Sequence, residues 1–401
     1  MKWLGIVGIG EDGVAGLGER ARALISTAEL VFGGERHLRL ADALIGGERH
    51  EWETPLSRSI TAIEAARGRK VCVLASGDPF HYGVGATLSR SIPAEEMEVV
   101  PAVSAFSLAA ARLGWPLQQV VLLSVHGRPI ELVLPHLHPG QRILALTSDE
   151  TGPAALAELL TANGFGPSRL IVLEALGGPQ ERISSHVAQS FAASDIDPLN
   201  VCAIEVAGAP DARVISLVPG LGDDLYEHDG QLTKREVRAM TLAALAPKRG
   251  QLLWDIGAGA GSIAIEWMLA DPSLRAIAVE ADDERVMRIR RNALALGVPD
   301  IEVISGRVPE ALQGLSSPDA IFIGGGGSAP GVMEAAIKAL RPGGTLVVNA
   351  VTVELEAMLL ARQAELGGSL TRIGISRLAP IGTMNGWRPA RPVTQWTWVK
   401  P

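Results

Sequence analysis

Cysteine and histidine are too few and too scattered in this sequence to indicate a disulfide framework or a metal centre. The 401 residues include two cysteines, Cys72 and Cys202, each in an apolar run, VCVLA and NVCAIEV. Both are therefore predicted to be buried free thiols. His136 and His138 lie two positions apart, but no further ligand type clusters near them. We interpret them as surface-loop residues and predict no metal.

Positive charge and long apolar runs are also scarce. Lys and Arg number 36 against 44 Asp and Glu, which gives a net charge of −8. Binding to a phosphate backbone requires clustered positive charge, so no nucleic-acid partner is expected. No apolar run reaches the roughly 20 residues of a membrane-spanning helix. The first residues, MKWLGIVGIG, lead into a strand and do not resemble a signal peptide. We therefore expect a cytoplasmic location and no membrane partner.

The sequence does contain a repeated alternation of short apolar runs and helical patterns. Its length suggests two or three domains, and a composition of 47% hydrophobic and 20% charged residues is typical of globular proteins. Runs that are apolar on both faces and separated by helices predict mostly parallel sheets covered on two sides, an α/β fold. The runs are LGIVGIG, KVCVLASG, MEVVPAV, VVLLSVHG, RILALT, RLIVLEAL and NVCAIEVAG, then QLLWDIGAG, RAIAVEA, IEVISG, DAIFIGGGG and GGTLVVNAV. Between these two sets, VPGLGDDLYEHDGQ (218–231) predicts a junction between domains at 1–215 and 225–401.

The segment WDIGAGAGSIAIE (254–266) places Gly257, Gly259 and Gly261 between an apolar strand and a helical pattern. A strand, a glycine turn and a helix in that order let a ligand approach the backbone, and the helix N-terminus offers it free N–H groups. The next strand, RAIAVE, ends in Glu280, whose carboxylate is placed to accept hydrogen bonds from ribose hydroxyls. The alternative is a tight strand-to-helix turn that binds no ligand.

The spacing Asp-x-Gly-x-Gly-x-Gly, which begins at Asp255, differs from the dinucleotide fingerprint Gly-x-Gly-x-x-Gly. It resembles the glycine loop of class I S-adenosylmethionine (SAM) methyltransferases, which implies a C-terminal Rossmann-like fold. In that family the loop lies under the methionine part of SAM, and the acid before it sets the loop or orients the ammonium group. The resemblance also implies an adenine site near Gly306 and Arg307 and an open space for the methyl group at Gly324.

Two flanking segments narrow the resemblance. TKREVR begins at Thr233, and its pattern predicts a capping box between Thr233 and Glu236. VVNAVTVE carries Asn349 and Glu354, which are catalytic candidates; a strand-end cap and a helix N-terminal acid are the alternatives. Together with DIGAGAG and FIGGGG, these segments resemble the C15-methylating and decarboxylating domain of corrin biosynthesis. That resemblance makes Thr233 a SAM contact as well as a cap. The motifs of nucleic-acid base methyltransferases are missing after the fourth strand, so the acceptor need not be a base.

The first half carries four motifs at strand ends. Gly8 lies in the glycine turn GIVGIGEDG, and Gly77 and Asp78 lie in ASGDPFHYGVG, where a tight turn offers a carboxylate and free backbone groups. Ser104 in PAVSAF is predicted to cap the helix that follows. His126 in VVLLSVHGR is a candidate base or carboxylate partner, and a structural histidine is the alternative.

In this order the motifs resemble the tetrapyrrole methylase family, the class III SAM methyltransferases, over about residues 3–208. The resemblance implies an N-terminal tetrapyrrole-methylase fold of two α/β subdomains that enclose SAM. The implied SAM contacts are Gly8, Gly77, Asp78, Ser104 and Ala105. Many members continue the first turn as Gly-Pro-Gly, whereas this chain has Gly-Glu-Asp-Gly at 10–13. The resemblance therefore implies nothing about what this loop contacts in a substrate.

Together the halves resemble the fused, decarboxylating C5,15-methyltransferases of corrin (cobalamin) biosynthesis. This implies one SAM per domain, a tetrapyrrole substrate and a homo-oligomer. The first domain would methylate C5 of precorrin-6B; the second would methylate C15 and remove CO2 from the C12 acetate, giving precorrin-8X. A polycarboxylate requires local positive charge, for which the candidates are Lys234, Arg235, Arg238, Arg128 and Arg388. The alternative is a SAM-dependent methyltransferase of another small molecule or of RNA, with one half a non-catalytic SAM-binding or assembly module.

Overall fold

The computed structural model describes residues 2–401. The chain forms two compact units: the first comprises residues up to Ile130 and His136–Arg213, the second Glu131–Pro135 and Val214–Pro401. The Gly- and Asp-rich segment 218–231 belongs to the second unit. None of the helices in residues 2–401 is long and apolar enough to cross a membrane.

The first sheet of the first unit has five parallel strands, in agreement with the parallel pairing that the apolar runs predicted. The elements are β1 (Leu4–Ile9), β2 (Leu30–Gly33), β3 (Glu48–Glu51), β4 (Val71–Ser76) and β5 (Met97–Val100), with α1 (Glu19–Ser26), α2 (Glu35–Leu40), α3 (Ser57–Ala65) and α4 (Val84–Leu88) between them. The order across the sheet is β3-β2-β4-β1-β5. Alternate residues of β1 enter two hydrophobic clusters: Leu4 and Ile6 belong to one, Val7 and Ile9 to the other. Both faces of the sheet are therefore buried, as its continuous apolar runs indicate.

The second sheet of the first unit is mixed. It is formed by β6 (Val120–Ser124), β7 (Arg142–Leu146), β8 (Arg169–Glu174), β9 (Arg182–Val187) and β10 (Asn200–Glu205), with α5 (Ala105–Leu113) before it and α6 (Gly152–Ala162) within it. In the order β6-β7-β10-β8-β9, only β6 and β7 run parallel; the other neighbours are antiparallel. The prediction of mostly parallel pairing is wrong for this sheet. No α-helix separates β8, β9 and β10, whereas parallel neighbours are usually joined by a helical crossover.

The second unit is a Rossmann-like sheet with an added hairpin. Its helices are α7 (Arg235–Leu245), α8 (Ser262–Ala270), α9 (Asp283–Ala295), α10 (Val332–Ala339) and α11 (Val353–Leu366). Its strands are β11 (Leu252–Ile256), β12 (Arg275–Glu280), β13 (Glu302–Ser305), β14 (Ala320–Ile323), β15 (Thr345–Ala350), β16 (Ser369–Ile373), β17 (Ser376–Ile381), β18 (Met384–Pro389) and β19 (Val393–Val399). The sheet order is β13-β12-β11-β14-β15-β19-β16, with β19 antiparallel to both neighbours, while β17 and β18 pair only with each other. The strand order reverses at β11, so a crevice is expected at the carboxyl ends of β11 and its neighbours.

A buried ion pair joins α7 to α8, and two predictions for this region, a substrate role for Arg238 and a capping box, are wrong. Arg238 is fully buried; its Nε donates to Glu266 over 2.5 Å and its Nη1 donates to the Thr233 carbonyl. Glu266 also accepts the backbone N–H groups of Gly220 and Leu221. Arg238 is thus neither a surface charge nor available to a substrate carboxylate. The predicted capping box is also wrong, because α7 is capped by Lys234 without a side-chain hydrogen bond.

The two cysteines and the paired histidines lie in packed regions. Cys72 and Cys202 are buried free thiols, as predicted, and burial raises the pKa of Cys72 to about 12. His136 and His138 are half-buried rather than exposed surface-loop residues, and burial lowers the pKa of His136. Within residues 2–401, no group of three or more His, Cys, Asp or Glu side chains is arranged to hold a metal ion.

Candidate active sites

A cavity of about 510 Å³ in the first unit is lined by residues from both of its sheets. The strand ends of the first sheet contribute Ile9 and Ser76, and the second sheet contributes Ser124 and Leu146. The sequence-predicted residues that line it are Gly77, Asp78, Ser104, Ala105, His126 and Arg128. Its size is within the usual range of small-molecule sites, roughly 300–1,000 Å³.

The Gly77–Asp78 turn shapes this cavity through close backbone contacts. Gly77 has a φ of +53°, and a Cβ there would lie 3.0 Å from the backbone of Ser104. Asp78 Oδ1 accepts the N–H of Phe80 over 2.9 Å, which closes the turn. Gly8 is not among the lining residues; a Cβ on Gly8 would lie 1.9 Å from the Gly77 carbonyl oxygen. Gly8 therefore makes room for the turn from behind, and its neighbours Ile9 and Gly10 face the cavity.

The start of α5 forms a second wall. Ser104 Oγ accepts the N–H of Ser107 over 3.1 Å, so the predicted cap is confirmed. Ser104 and Ala105 both line the cavity. The N-terminus of α5, where backbone N–H groups lack intrahelical partners, therefore borders this space.

His126 is held in one tautomer at the rim. Its Nδ1 lies 3.1 Å from the carbonyl oxygen of Thr147, which can only accept a hydrogen bond. Nδ1 therefore carries the proton of the neutral ring and Nε2 is the acceptor. The exposed ring lines the cavity beside Arg128. This arrangement suits a base; the ring can pair with a carboxylate only when Nε2 has taken up a proton.

A polar cluster in the same cavity was missed by the sequence analysis. Arg36 forms an ion pair with Glu11, and its Nη2 donates to Ser76 Oγ over 2.7 Å. His37 Nε2 lies 3.0 Å from Arg36 Nη2 and 2.8 Å from Ser76 Oγ. Burial and Arg36 lower the pKa of His37 to about 4, so its ring is neutral. Arg36 and His37 follow β2, a short strand that we did not predict; recognising it would have placed them at this edge of the sheet.

The second unit contains a cavity of about 540 Å³ at the carboxyl ends of its parallel strands. The predicted cofactor residues that line it are Thr233, Gly257, Gly259, Glu280, Gly306 and Gly324, and the predicted residues Asn349 and Lys234 line it as well. Asp255, Gly261, Arg307, Glu354, Arg235 and Arg388 do not line it. The motif therefore divides into residues that face the cavity and residues that lie behind it.

The three glycines of the loop have different surroundings. Gly257 has a φ of +70°, and a Cβ there would lie 2.5 Å from the carbonyl oxygen of Gly325. Gly259 also has a positive φ and faces the cavity. Gly261 begins α8 with a φ of +78°, and a Cβ there would lie 2.8 Å from Ile289 Cγ2. Gly261 thus allows α8 and α9 to pack closely and makes no wall of the cavity.

Glu280 holds the glycine loop at the end of β12. Its Oε2 accepts the N–H of Gly259 over 2.8 Å, and its Oε1 accepts those of Ala281 and Asp282. Oε1 uses both of its lone pairs in these bonds, whereas Oε2 retains one for a further donor, and Glu280 lines the cavity. A ribose hydroxyl is the kind of donor that fits it.

Asp255 is almost fully buried behind the loop. Its Oδ2 accepts the N–H of Ala264 over 3.1 Å, and its Oδ1 has no hydrogen-bond partner. Burial, and to a lesser degree the charge of Glu280, raise its pKa to about 7. Of the two roles implied for Asp255, its position favours setting the loop and α8 over direct contact with a ligand.

The remaining candidates of the second unit differ in position. Asn349 is buried; its Nδ2 donates to Thr241 Oγ1 and its Oδ1 accepts from Gln395 Nε2, both over 2.9 Å. Glu354 is exposed in the first turn of α11, which is the position of a helix N-terminal acid. Arg307, next to Gly306, is exposed and does not line the cavity, so its position does not support the predicted adenine contact.

Both cavities have features that fit SAM. In the second, backbone without side chains at Gly257 and Gly259 adjoins the Glu280 carboxylate; in the first, the Gly77–Asp78 turn adjoins the start of α5. Side-chain-free backbone beside a hydroxyl acceptor is what a nucleoside with a methionine arm requires. Neither Cys72 nor Cys202 lines either of these two cavities.

Comparison with known proteins identifies the family. Residues 4–192 match the model of tetrapyrrole (corrin/porphyrin) methylases, and residues 224–400 match that of a precorrin methyltransferase domain. A Sinorhizobium sp protein named precorrin-6Y C(5,15)-methyltransferase (decarboxylating) is 61% identical over 398 residues, which cover 99% of this chain and 96% of that protein. The chain belongs to the precorrin-6Y C5,15-methyltransferase (decarboxylating) family.

Some shorter relatives of this precorrin-6Y methyltransferase are named for only one of the two methylations. A Pyrobaculum calidifontis protein named probable cobalt-precorrin-6B C(15)-methyltransferase (decarboxylating) is 36% identical and covers 40% of this chain and 85% of its own length. A Salmonella typhimurium protein named cobalt-precorrin-7 C(5)-methyltransferase is 32% identical and covers 45% of this chain and 88% of its own length. The two names that are joined in the full-length relative therefore belong to separate proteins elsewhere.

Proposed function

We propose that this chain is a bifunctional SAM-dependent C-methyltransferase of cobalamin biosynthesis. The domain at 1–215 methylates C5 of the precorrin macrocycle. The domain at 225–401 methylates C15 and removes CO2 from the C12 acetate, so that precorrin-6B becomes precorrin-8X. Each domain uses one SAM. Half-length relatives named for a C5 or a C15 methylation support this division.

The observation that carries the proposal is that each unit has its own cavity lined by predicted SAM-binding residues. In the second domain, Gly257, Gly259 and Glu280 would hold the cofactor. In the first domain, Gly77, Asp78, Ser104 and Ala105 would do so. SAM, when bound, supplies a methyl group activated by a sulfonium.

The protein's contribution to this chemistry is mainly positional. The meso carbons of a reduced tetrapyrrole are enamine-like and already nucleophilic, so no cysteine nucleophile is required. The walls of each cavity must align the carbon with the methyl group and exclude water. We propose that His126, with Nε2 as acceptor, takes up a proton in the first cavity. Asn349, fixed by Thr241 and Gln395, is proposed to orient substrate in the second.

Two measurements on the full chain test the proposal. Calorimetric titration with SAM should give two bound equivalents. Mass spectrometry after incubation with SAM and precorrin-6B should show a gain of two methyl groups and the loss of one CO2. One bound equivalent, or one methyl gained with CO2 retained, would mean that one half is a non-catalytic module. A cytoplasmic location and a homo-oligomer stay predictions, and light scattering of the purified chain tests the second.

A further inference from the structure

The second cavity has an apolar floor at a distance from its glycine loop. Val237, Ile373 and Val393 form a buried cluster with Ile375 packed against it, and all four line the cavity. They belong to α7 and to the β16–β19 side of the sheet, whereas Glu280 ends β12. Four strand steps separate β12 from β19, which at about 4.8 Å per step is roughly 19 Å. The cavity therefore extends well beyond the region that is bordered by the glycine loop and Glu280.

The cationic residues that line this cavity are paired with acids, with one exception. Lys234 lies 3.6 Å from Asp223, Arg285 Nε lies 2.9 Å from Asp229, and Arg377 forms an ion pair with Glu236. Arg391 lines the cavity and has no ion-pair or hydrogen-bond partner for its side chain within residues 2–401. An unpaired guanidinium at the mouth of an apolar cavity can accept an anionic ligand without first losing a protein partner.

The segment that carries Arg391 is positively charged, although the chain as a whole is acidic. Segment 377–391 contains Arg377, Arg388 and Arg391 and no Asp or Glu. Arg377 and Arg388 lie directly opposite each other in the β17–β18 hairpin, and like charges in such a pair are destabilising. The ion pair of Arg377 with Glu236 offsets this repulsion, and Arg388 does not line the cavity. Arg391 is therefore the arginine of this segment that lines the cavity without an acid partner.

We propose that Arg391 binds a side-chain carboxylate of the tetrapyrrole, while Val237, Ile373, Ile375 and Val393 pack against an apolar part of the macrocycle. This assignment rests on the proposed function and adds a positioning residue to the C15 site. The two features, an apolar floor and an unpaired guanidinium, match a flat apolar ring with carboxylates at its edge. The bound carboxylate is one that the product retains, because an ion pair with a guanidinium stabilises the carboxylate and so opposes loss of CO2.

The test is the variant Arg391→Gln in the full-length enzyme. Loss of a charge-assisted bidentate contact should raise the KM for precorrin-6B in the C15 methylation and CO2 release by about ten- to a hundredfold, with a smaller change in kcat. Arg391→Lys should recover part of this loss, since a single ammonium retains the charge but not the bidentate geometry. Titration with SAM should give the wild-type affinity and stoichiometry, which also verifies that the variant is folded.

Arg275→Gln is the matched control. Arg275 is exposed at the start of β12, at the opposite end of that strand from Glu280, and forms no ion pair within residues 2–401. It should show wild-type kinetics. An unchanged KM in Arg391→Gln, with normal turnover by the wild type, overturns only this inference. Failure of the wild type to methylate precorrin-6B or to release CO2 overturns the proposed function and this inference together.

Discussion

Two carboxyl groups support the glycine loop of the second domain, and their environments differ. Glu280 accepts three backbone N–H groups and lines the cavity. Asp255 accepts one backbone N–H, leaves Oδ1 without a partner and is buried. Because burial and Glu280 raise the pKa of Asp255 to about 7, a fraction of Asp255 is protonated at neutral pH. The stability of the loop should therefore depend on pH in the neutral range.

Asp255→Asn should remove that pH dependence. In the unfolded chain Asp loses its proton near pH 4, whereas folded Asp255 keeps it to about pH 7. The folded state binds more protons between these values, so the free energy of unfolding falls as pH rises from about 4 to 7. Asn mimics the protonated acid and still accepts the N–H of Ala264. Relative to wild type, the variant should gain on the order of 2 to 4 kcal/mol between pH 4 and 8.

Differential scanning calorimetry at pH 5 and pH 8 measures this difference. The transition of the second domain should move to lower temperature with rising pH in the wild type and move less in Asp255→Asn. Parallel shifts in both proteins would show that Asp255 is ionised in the folded state throughout. The first domain provides an internal reference, because Asp255 is not part of it.

At the scale of residues, the sequence predicted which residues belong to the site better than it predicted what each of them does. Gly257, Gly259 and Glu280 were expected at the cavity and line it, while Gly261 and Asp255, from the same motif, lie behind them. A spacing pattern fixes a strand, a turn and a helix, but which side of the turn faces a cavity depends on neighbouring elements. Ile289 of α9 decides this for Gly261. Arg391 was not predicted, because only the folded chain shows which arginines have acid partners.

At the scale of elements, the strand-to-helix turn between β11 and α8 depends on one close backbone contact. Gly257→Ala would place a Cβ 2.5 Å from the Gly325 carbonyl oxygen, on a backbone with a φ of +70°. Because the atoms that this Cβ would meet are backbone and cannot rotate away, the segments that follow β11 and β14 must separate. We expect SAM binding by the second domain to be lost, measured as a decrease from two bound equivalents to one.

Gly250→Ala is the control for this variant. Gly250 has a φ of +79°, but a Cβ there would meet no atom within 4 Å. It carries the conformational cost of a left-handed residue, about 1–2 kcal/mol, without the clash. SAM stoichiometry should stay at two. A loss of binding in both variants would attribute the effect to general destabilisation rather than to the approach of Gly325.

Strands with a continuous apolar run were predictable even at sheet edges, as β5, β6 and β13 show, whereas largely exposed strands were not. β1, β4, β11, β12, β14 and β15 correspond to the continuous apolar runs. Strand β3 has the sequence ERHE and no buried residue, and hairpin strands β17 and β18 are largely exposed, so no hydrophobic pattern identifies them. Arg238 illustrates the converse error: a basic residue in TKREVR reads as surface, but Glu266 of the next helix neutralises it inside the fold.

At the scale of the whole molecule, two sites of different architecture serve one proposed substrate. One cavity is built by a parallel and a mixed sheet, and the other by the switch point of a Rossmann-like sheet. Each cavity is lined only by residues of its own unit. The two methylations should therefore be separable by single substitutions, without the need to cut the chain.

Gly77→Ala and Gly257→Ala together test that separation. A Cβ on Gly77 would lie 3.0 Å from the Ser104 backbone at a φ of +53°, so the first site should lose SAM while the second keeps it. Each variant should bind one equivalent of SAM by calorimetry, and the double variant none. With precorrin-6B, Gly77→Ala should release CO2 and add one methyl group, whereas Gly257→Ala should retain the CO2. The contrary outcome is that Gly77→Ala abolishes CO2 release while it still binds one SAM. A defect confined to the first cavity would then have stopped the chemistry of the second. The assignment of C15 methylation and decarboxylation to residues 225–401 alone would therefore be wrong.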